Sequence, residues 1–504
     1  MNSHRRLLIG WLQKVGVGFL ALALGGYAVS TNAAESRESA KLVAWKIPFE
    51  GSGSRPVLVD GVLYVGSKDG AVYALNSNTG ETKWRFQTGE SIPQVITVPG
   101  GTSLKEVLEK GERRVNMTPA VENGTVFIGS GDRSFYAIDA ATGKKKWSYE
   151  AGFGMASQSV LNRPLPTPVV KNGTVYFVTA EGLHALDMLT GERRWLFEAS
   201  EEIPGKGKYP PGGPILSDGV IFLTAGSRSD GSAEIHKRIH AVDPESGKTK
   251  WGTTITVDAS DWVFTAPGTA KRLAFLAVLD PHQHSKKTAS PPVGWPPAHD
   301  GAAVYAISAD DGQIRWKFSV PHLVGPPRLL VVDKTIYFTT DKRLIAAELE
   351  TGRQLWTFSP KTTTKIKTYG AVDECPNLWA DDQHVYVVTE AAVLIGEGTV
   401  HRLQALDRTT GREKWLLTVG GGSADIQMIY DGLIYAGGLS SGLIVIDPAK
   451  GKMLWSFNGA TQSETARLIS GNRIFLISGP DTTDHGYLYA IDKPAKFRRQ
   501  ANKP

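Results

Sequence analysis

Between residues 42 and 492 the apolar positions come in short alternating runs, cut at near-regular intervals by Gly, Asp and Asn. Pro56-Val57-Leu58-Val59, Gly61-Val62-Leu63-Tyr64-Val65-Gly66 and Ala71-Val72-Tyr73-Ala74-Leu75 are rich in β-branched and aromatic residues and too short for helices. Such runs, bounded by turn residues, predict β-strands. Asp60-Gly61 and Asp69-Gly70 predict tight hairpins, because Gly accepts the positive φ that two-residue turns require. Lys83-Trp84-Arg85-Phe86 alternates and supplies a fourth strand. The unit is a four-stranded antiparallel meander.

The unit recurs. An aromatic residue, His or Gln, then Ala, an aliphatic residue and an Asp-like residue lead into a turn ending in Gly, with Trp four residues later. The closest copies run Tyr73-Ala74-Leu75-Asn76 to Gly80 and Trp84, Tyr136-Ala137-Ile138-Asp139 to Gly143 and Trp147, His184-Ala185-Leu186-Asp187 to Gly191 and Trp195, and Gln404-Ala405-Leu406-Asp407 to Gly411 and Trp415. Looser copies end at Trp251, Trp316, Trp356 and Trp455. A repeated supersecondary unit that cannot bury its own faces must stack on its neighbours. Radial stacking buries both faces and leaves short edges, which predicts an all-β propeller with each Trp docked on the Gly turn of the adjacent blade. The C-terminal strands Arg467-Leu468-Ile469, Ile474-Phe475-Leu476-Ile477 and Tyr487 to Asp492 lack a Trp strand, and the N-terminal Leu42-Val43-Ala44-Trp45-Lys46-Ile47 supplies one. The two ends therefore share a blade, and nine motifs are counted.

This repeat resembles that of the PQQ-like (pyrroloquinoline quinone) β-propeller family, over residues 42–492, read as a single domain. Eight blades is that family's norm. The resemblance implies one of three activities, because the fold carries quinoprotein dehydrogenases, lipoprotein scaffolds of outer-membrane assembly, and sulfur-compound hydrolases of the tetrathionate hydrolase type. A fold by itself does not choose among them.

Residues 1–34 read as an export signal: Arg5 and Arg6 begin it, Val15 to Val29 form a glycine-interrupted apolar core, and Ala33-Ala34 offer small cleavage positions. This predicts a periplasmic or secreted protein. No Cys stands near the cleavage point to take a lipid, which departs from the lipoprotein scaffolds. Residues 493–504 read as a basic tail. Cys375 is the single cysteine, so no internal disulfide forms. Lys and Arg number 56 against 50 Asp and Glu, and losing Arg5, Arg6 and Lys14 with the leader narrows that difference. Charges are not in runs, which gives no support for a nucleic-acid partner. Outer-membrane association and a homodimer both stay open.

Long insertions break the repeat at 87–119, 150–168, 198–214, 224–238, 279–303, 359–377 and 389–401, all on the face opposite the Thr-Gly turns. Long loops on a rigid ring are where binding and catalysis usually sit. They gather Arg113, Arg114, Arg228, Lys237, Arg238, His282, His284 and His299, with further lysines such as Lys208 and Lys365. A funnel lined with one sign of charge attracts anions, so these are the expected substrate-binding residues for a small anion. Asp261, Asp300 and Asp373 stand where inner strands begin, and a partly desolvated carboxylate there is a candidate general base. The expectation is hydrolysis of an inorganic sulfur anion, most simply tetrathionate, with no cofactor and no metal site. The first alternative is a PQQ-dependent alcohol or sugar dehydrogenase, with calcium and with the quinone stacked on Trp262, Trp295 or Trp379. That family's adjacent cysteine pair is missing here. The second alternative is a non-catalytic envelope scaffold.

Overall fold

The computed structural model describes residues 41–49, 54–89, 115, 117–151, 167–199, 201–203, 207–209, 211–228, 234–258, 268–270, 272–279, 299–323, 329–340, 343–360, 364–366, 378–392, 399–421, 425–438, 442–457, 467–478 and 486–497. The strands form nine antiparallel blades, with a 3-10 turn at Ala495–Phe497 among the described residues. Blade 1 consists of Val57–Val59, Val62–Gly66, Ala71–Asn76 and Thr82–Gln87. Blades 2 to 8 follow in chain order, beginning at Ala120, Val169, Gly212, Gly268, Leu329, Leu378 and Asp425. The first strands of blades 1 to 8 lie each against the next, so they stand at the centre and the fourth strands at the rim. The count from the sequence holds, and the ring exceeds the family norm by one blade.

Register explains the repeat. In eight blades an Ala of the third strand pairs with the Trp of the fourth, from Ala74 with Trp84 to Ala405 with Trp415, Val445 takes that place opposite Trp455 in blade 8, and a bulge follows at once. The bulge turns the strand into the Thr-Gly turn. There the Asp caps the backbone: Asp139 Oδ1 accepts from Thr142 N at 2.9 Å and from Thr142 Oγ1 at 2.8 Å, and Asp407 Oδ1 does the same with Thr410 at 2.9 Å for both. The second carboxylate oxygen meets the cation beside the Trp, Lys146 at 3.4 Å or Lys414 at 3.1 Å. The Arg194 guanidinium holds Asp187 down to about 2, and the Thr410 amide, followed by Lys414, does so for Asp407. A depressed carboxylate gives stability that is present at neutral pH and lost only as pH falls toward that low value. These turns therefore resist acid.

Each Trp then ties two blades. Its ring packs on an aromatic residue in the second strand of its own blade, at 5.7–6.0 Å between centroids in eight blades. Its far side covers the turn glycine of the next blade: Trp45 covers Gly80, Trp84 covers Gly143, and so on to Trp415 over Gly451. Its Nε1 donates to the backbone carbonyl just past the capping residue there, at 2.7–3.2 Å in all eight cases. Phe135 and Phe177 extend such a seam, fully buried and stacked at 4.0 Å.

Trp455 of blade 8 faces blade 9, which has no such turn. Blade 9 is built from Arg467–Ser470, Arg473–Ser478 and Gly486–Asp492, with Val43–Phe49 as its fourth strand. The chain ends meet where the turn would be. Asp492 N donates to Leu42 O at 2.8 Å, standing in for the bond that closes every ordinary turn. Lys493 is fully buried, pairs with Asp431 of blade 8 at 3.2 Å and lies 4.4 Å from the Tyr430 ring centre. Arg473 crosses to blade 1 and donates to Ser77 O at 2.8 Å.

Replacing Gly191 with Ala puts a Cβ 2.6 Å from the Trp147 ring at a φ of +75°. We expect a loss of about 3 kcal/mol from overpacking and backbone strain together. Gly124→Ala has a similar φ of +66° but meets nothing within 4 Å, so it should cost only about 1 kcal/mol. Urea denaturation of both variants checks this; equal losses would show that the dock itself contributes little.

Candidate functional site

The Thr-Gly turns fix one face of the ring, so variation in strand length appears on the other, here called the mouth. Third strands span six residues in blade 1 but nine or ten in blades 4, 5 and 7, as Glu234–Val242, His299–Ser308 and Thr399–Asp407. Their partners lengthen with them: Val220–Arg228 and Thr249–Asp258 in blade 4, Ile314–Leu323 in blade 5, His384–Ala392 and Glu413–Gly421 in blade 7. Residues expected in the 224–238, 279–303 and 389–401 insertions are thus partly ladder, and three blades rise above the rest.

In two of them an inserted strand continues the place of the inner strand. Thr364–Ile366 pairs with the second strand of blade 7 beyond the point where Leu378–Ala380 stops. The hairpin Glu201–Ile203 with Gly207–Tyr209 lies against the second strand of blade 4. Register sets Lys365 opposite Glu390 and Lys208 opposite Glu202.

The structure brings five of the expected residues onto two neighbouring raised blades. Arg228 ends the second strand of blade 4, opposite Ile235. Lys237 stands opposite Gly226 and Ile255, and Arg238 opposite Ala225 and Thr254. None of the three has a carboxylate in register. His299 and Asp300 begin the raised third strand of blade 5, with His299 opposite Leu323. Arg113, Arg114, Asp261, His282, His284 and Asp373 lie outside the described residues, as do Trp262, Trp295 and Cys375. Trp379 lies in the inner strand of blade 7 and donates Nε1 to Ile426 O of blade 8 at 3.1 Å, a tie between inner strands.

Arg238 is exposed and its guanidinium crosses outward to the fourth strand, where it lies on Gly252. A Cβ at Gly252 would stand 2.5 Å from Arg238 Nε, so the missing side chain makes the slot. Opposite Gly252 sits His240, edge-on to Phe197 of blade 3 at 5.2 Å. Burial, and then the Arg238 cation, push His240 down to about 4. Its Nδ1 is buried and meets no hydrogen-bond partner among the described residues.

Two features were missed from sequence. Counting outward from the Ala241 and Trp251 pair sets Glu234 opposite Asp258 at the tip of blade 4, three residues before Asp261. That register was there to be counted. Arg402, opposite Thr389 and Thr418, holds in blade 7 the position of Arg238 in blade 4. Among the described residues no group of three His, Cys, Asp or Glu is gathered as for a metal ion.

Comparisons with known proteins follow the fold. A family model described as "PQQ_2: Outer membrane protein assembly factor BamB" matches residues 33–253 and 299–499. The unmatched stretch between them runs from the raised tip of blade 4 to the raised third strand of blade 5. The chain is 33% identical over 108 residues to a 1-butanol dehydrogenase (cytochrome c) of Thauera butanivorans, covering 21% of this chain and 14% of that protein. It is 28% identical over 212 residues to the outer membrane protein assembly factor BamB of Moranella endobia, covering 42% and 46%. It is 24% identical over 257 residues to the tetrathionate hydrolase of Acidithiobacillus ferrooxidans, covering 40% and 48%. In each case the match spans less than half of the relative's own length.

Replacing Arg238 with Gln removes one of the two causes that depress His240, so its titration should move upward from about 4. It should stay below the free value of about 6.5, because burial is the larger cause. Imidazole NMR against pH reads this directly, and an unmoved titration would refute the contact.

Proposed function

The chain belongs to the PQQ_2 family of PQQ-like β-propellers, and from that premise we propose that it hydrolyses a small inorganic sulfur anion, with tetrathionate as the substrate, at the mouth of the ring. The supporting observation is the raised pair of blades 4 and 5. Arg228, Lys237 and Arg238 stand on one, and His299 and Asp300 begin the third strand of the next. The same region holds the stretch that the family model leaves unmatched, with Asp261, His282 and His284 in it. Chemistry peculiar to this chain is expected where it departs from the common repeat.

In this reading cations of the mouth, Arg113 and Arg114 included, hold the two sulfonate ends. One of Asp261, Asp300 and Asp373 takes a proton from water as its oxygen attacks sulfur. The S–S bond breaks, and its electron pair leaves with the departing sulfur chain. Attraction between the anionic substrate and these cations favours binding before the chemical step. The protein is exported, with residues 1–34 removed, and acts in the periplasm or outside the cell.

The match to a 1-butanol dehydrogenase (cytochrome c) favours a second reading, quinone-dependent oxidation. A bound quinone with calcium would supply a two-electron acceptor. The described residues do not fit it well: Trp379 is engaged between inner strands, and no carboxylate cluster is gathered. The description of the family model itself favours a third, a scaffold of outer-membrane assembly.

Purified mature protein is incubated with tetrathionate, without quinone or electron acceptor, and tetrathionate loss is followed. Consumption supports hydrolysis; none at any pH moves the case to the other two readings, and visible absorbance of a bound quinone would separate those. Among Asp261→Asn, Asp300→Asn and Asp373→Asn, the one that replaces the base should lower kcat by about a hundredfold or more with the fold intact. Arg228→Gln and Lys237→Gln should mainly raise KM. Full activity in all three Asp variants would remove the carboxylate base.

A further inference from the structure

The residue before the small one that pairs with Trp points into the seam with the preceding blade. Tyr73 meets Phe49, Tyr136 meets Phe86 and Tyr489 meets Phe457, all edge-on. Tyr305 also holds this place, while Ile345, Gln404 and Ile444 fill it in blades 6, 7 and 8. Histidine stands there twice, as His184 in blade 3 and His240 in blade 4. Blade 3 is therefore bounded by a histidine on each side.

Both rings sit among aromatic neighbours. His184 is fully buried, stacked on Phe177 at 5.0 Å and edge-on to Tyr149 of blade 2 at 5.7 Å. Its Nε2 lies 2.9 Å from Thr179 Oγ1 and its Nδ1 3.5 Å from the Tyr149 hydroxyl. His240 lies edge-on to Phe197 with its Nδ1 buried and without a partner among the described residues. The charged groups acting on them are Arg193 for His184 and Arg238 for His240, both cations of the histidine's own blade. Among the described residues no carboxylate acts on either. A neutral imidazole packs well in such a seam. A charged one loses hydration and is repelled.

We propose that blade 3 is the acid-releasing segment of the ring: protonation of His184 and His240 frees it from blades 2 and 4 while the other seams stay shut. Burial and then the neighbouring arginine hold each ring at about 4 in the closed seam, against about 6.5 in water. Between these values an opened seam takes up a proton that the closed seam refuses. Its stability therefore falls as pH drops from about 6.5 and levels off below about 4. The capping carboxylates Asp187 and Asp407, held at about 2, do not titrate in that window.

The test is hydrogen–deuterium exchange of the full chain at about pH 7 and about pH 4.5, with labelling times scaled for intrinsic exchange. Exchange across residues 174–198 should speed up at least tenfold relative to blades 1 and 8 on acidification, and recover on neutralisation. Tyr is the residue of blades 1, 2, 5 and 9 at this place, so the His184→Tyr, His240→Tyr double variant should abolish the effect. If that pair does not fold, His184→Gln with His240→Gln serves, after Gln404 of blade 7, and is neutral at every pH. Even loosening of all blades, an unchanged blade 3, or a folded double variant that opens at the same pH as the parent would overturn the proposal.

Discussion

Everything in this ring depends on one contact, an indole plate laid on a glycine. It needs a turn with positive φ, a flat face without a Cβ, and a carbonyl placed to receive Nε1. Trp147 on Gly191 has all three, and seven other pairs repeat it. The contact sets the distance between blades and holds the turn face in register. Because that face is fixed, additional residues are accommodated only at the opposite end of each strand. The raised blades 4, 5 and 7 express that constraint. The same logic explains the paired charges of the turn face: Lys146, Arg194 and Lys414 each answer a capping Asp, so they stabilise turns rather than attract ligands.

The elements that depend on local contacts were legible. Asp60-Gly61 announced a hairpin, and the two residues have φ of 48° and 75°. The Trp45 strand announced a blade without partners, and its partners are the last three strands of the chain. Less legible was where a strand stops. The polar run through Arg228 and Ser229 to Glu234 reads as a loop, yet Arg228 and Glu234 are still in the ladder. Backbone bonding holds a strand there without apolar alternation to announce it. The direction of Arg238 was not legible at all. It depends on an absent side chain at Gly252 on another strand, which is a tertiary fact. Of the three expected carboxylates, Asp300 alone falls on described backbone, at the start of a raised strand.

The seams show how a repeat tolerates exceptions. Tyr, Ile, Gln and His all fit the same place between blades, because the Trp dock beneath carries the geometry and leaves the upper seam free to vary. Trp379, bonded to Ile426 O, shows the converse: an aromatic residue outside the repeat has been taken into structural use.

Blade 9 also fixes an order in time. Its fourth strand precedes the strands of the other eight blades in the chain and its other three follow them, so Asp492 meets Leu42 only after the whole ring has been synthesised. Until then Val43–Phe49 has no ladder and Trp45 has only the Gly80 turn to cover. A chain made from its N-terminus thus carries an unpaired first strand until its last strands appear, the kind of edge that recruits other chains. Loop closure grows only as the logarithm of length, so the delay costs little free energy. Its consequence is exposure: the first strand stays solitary until the last one arrives.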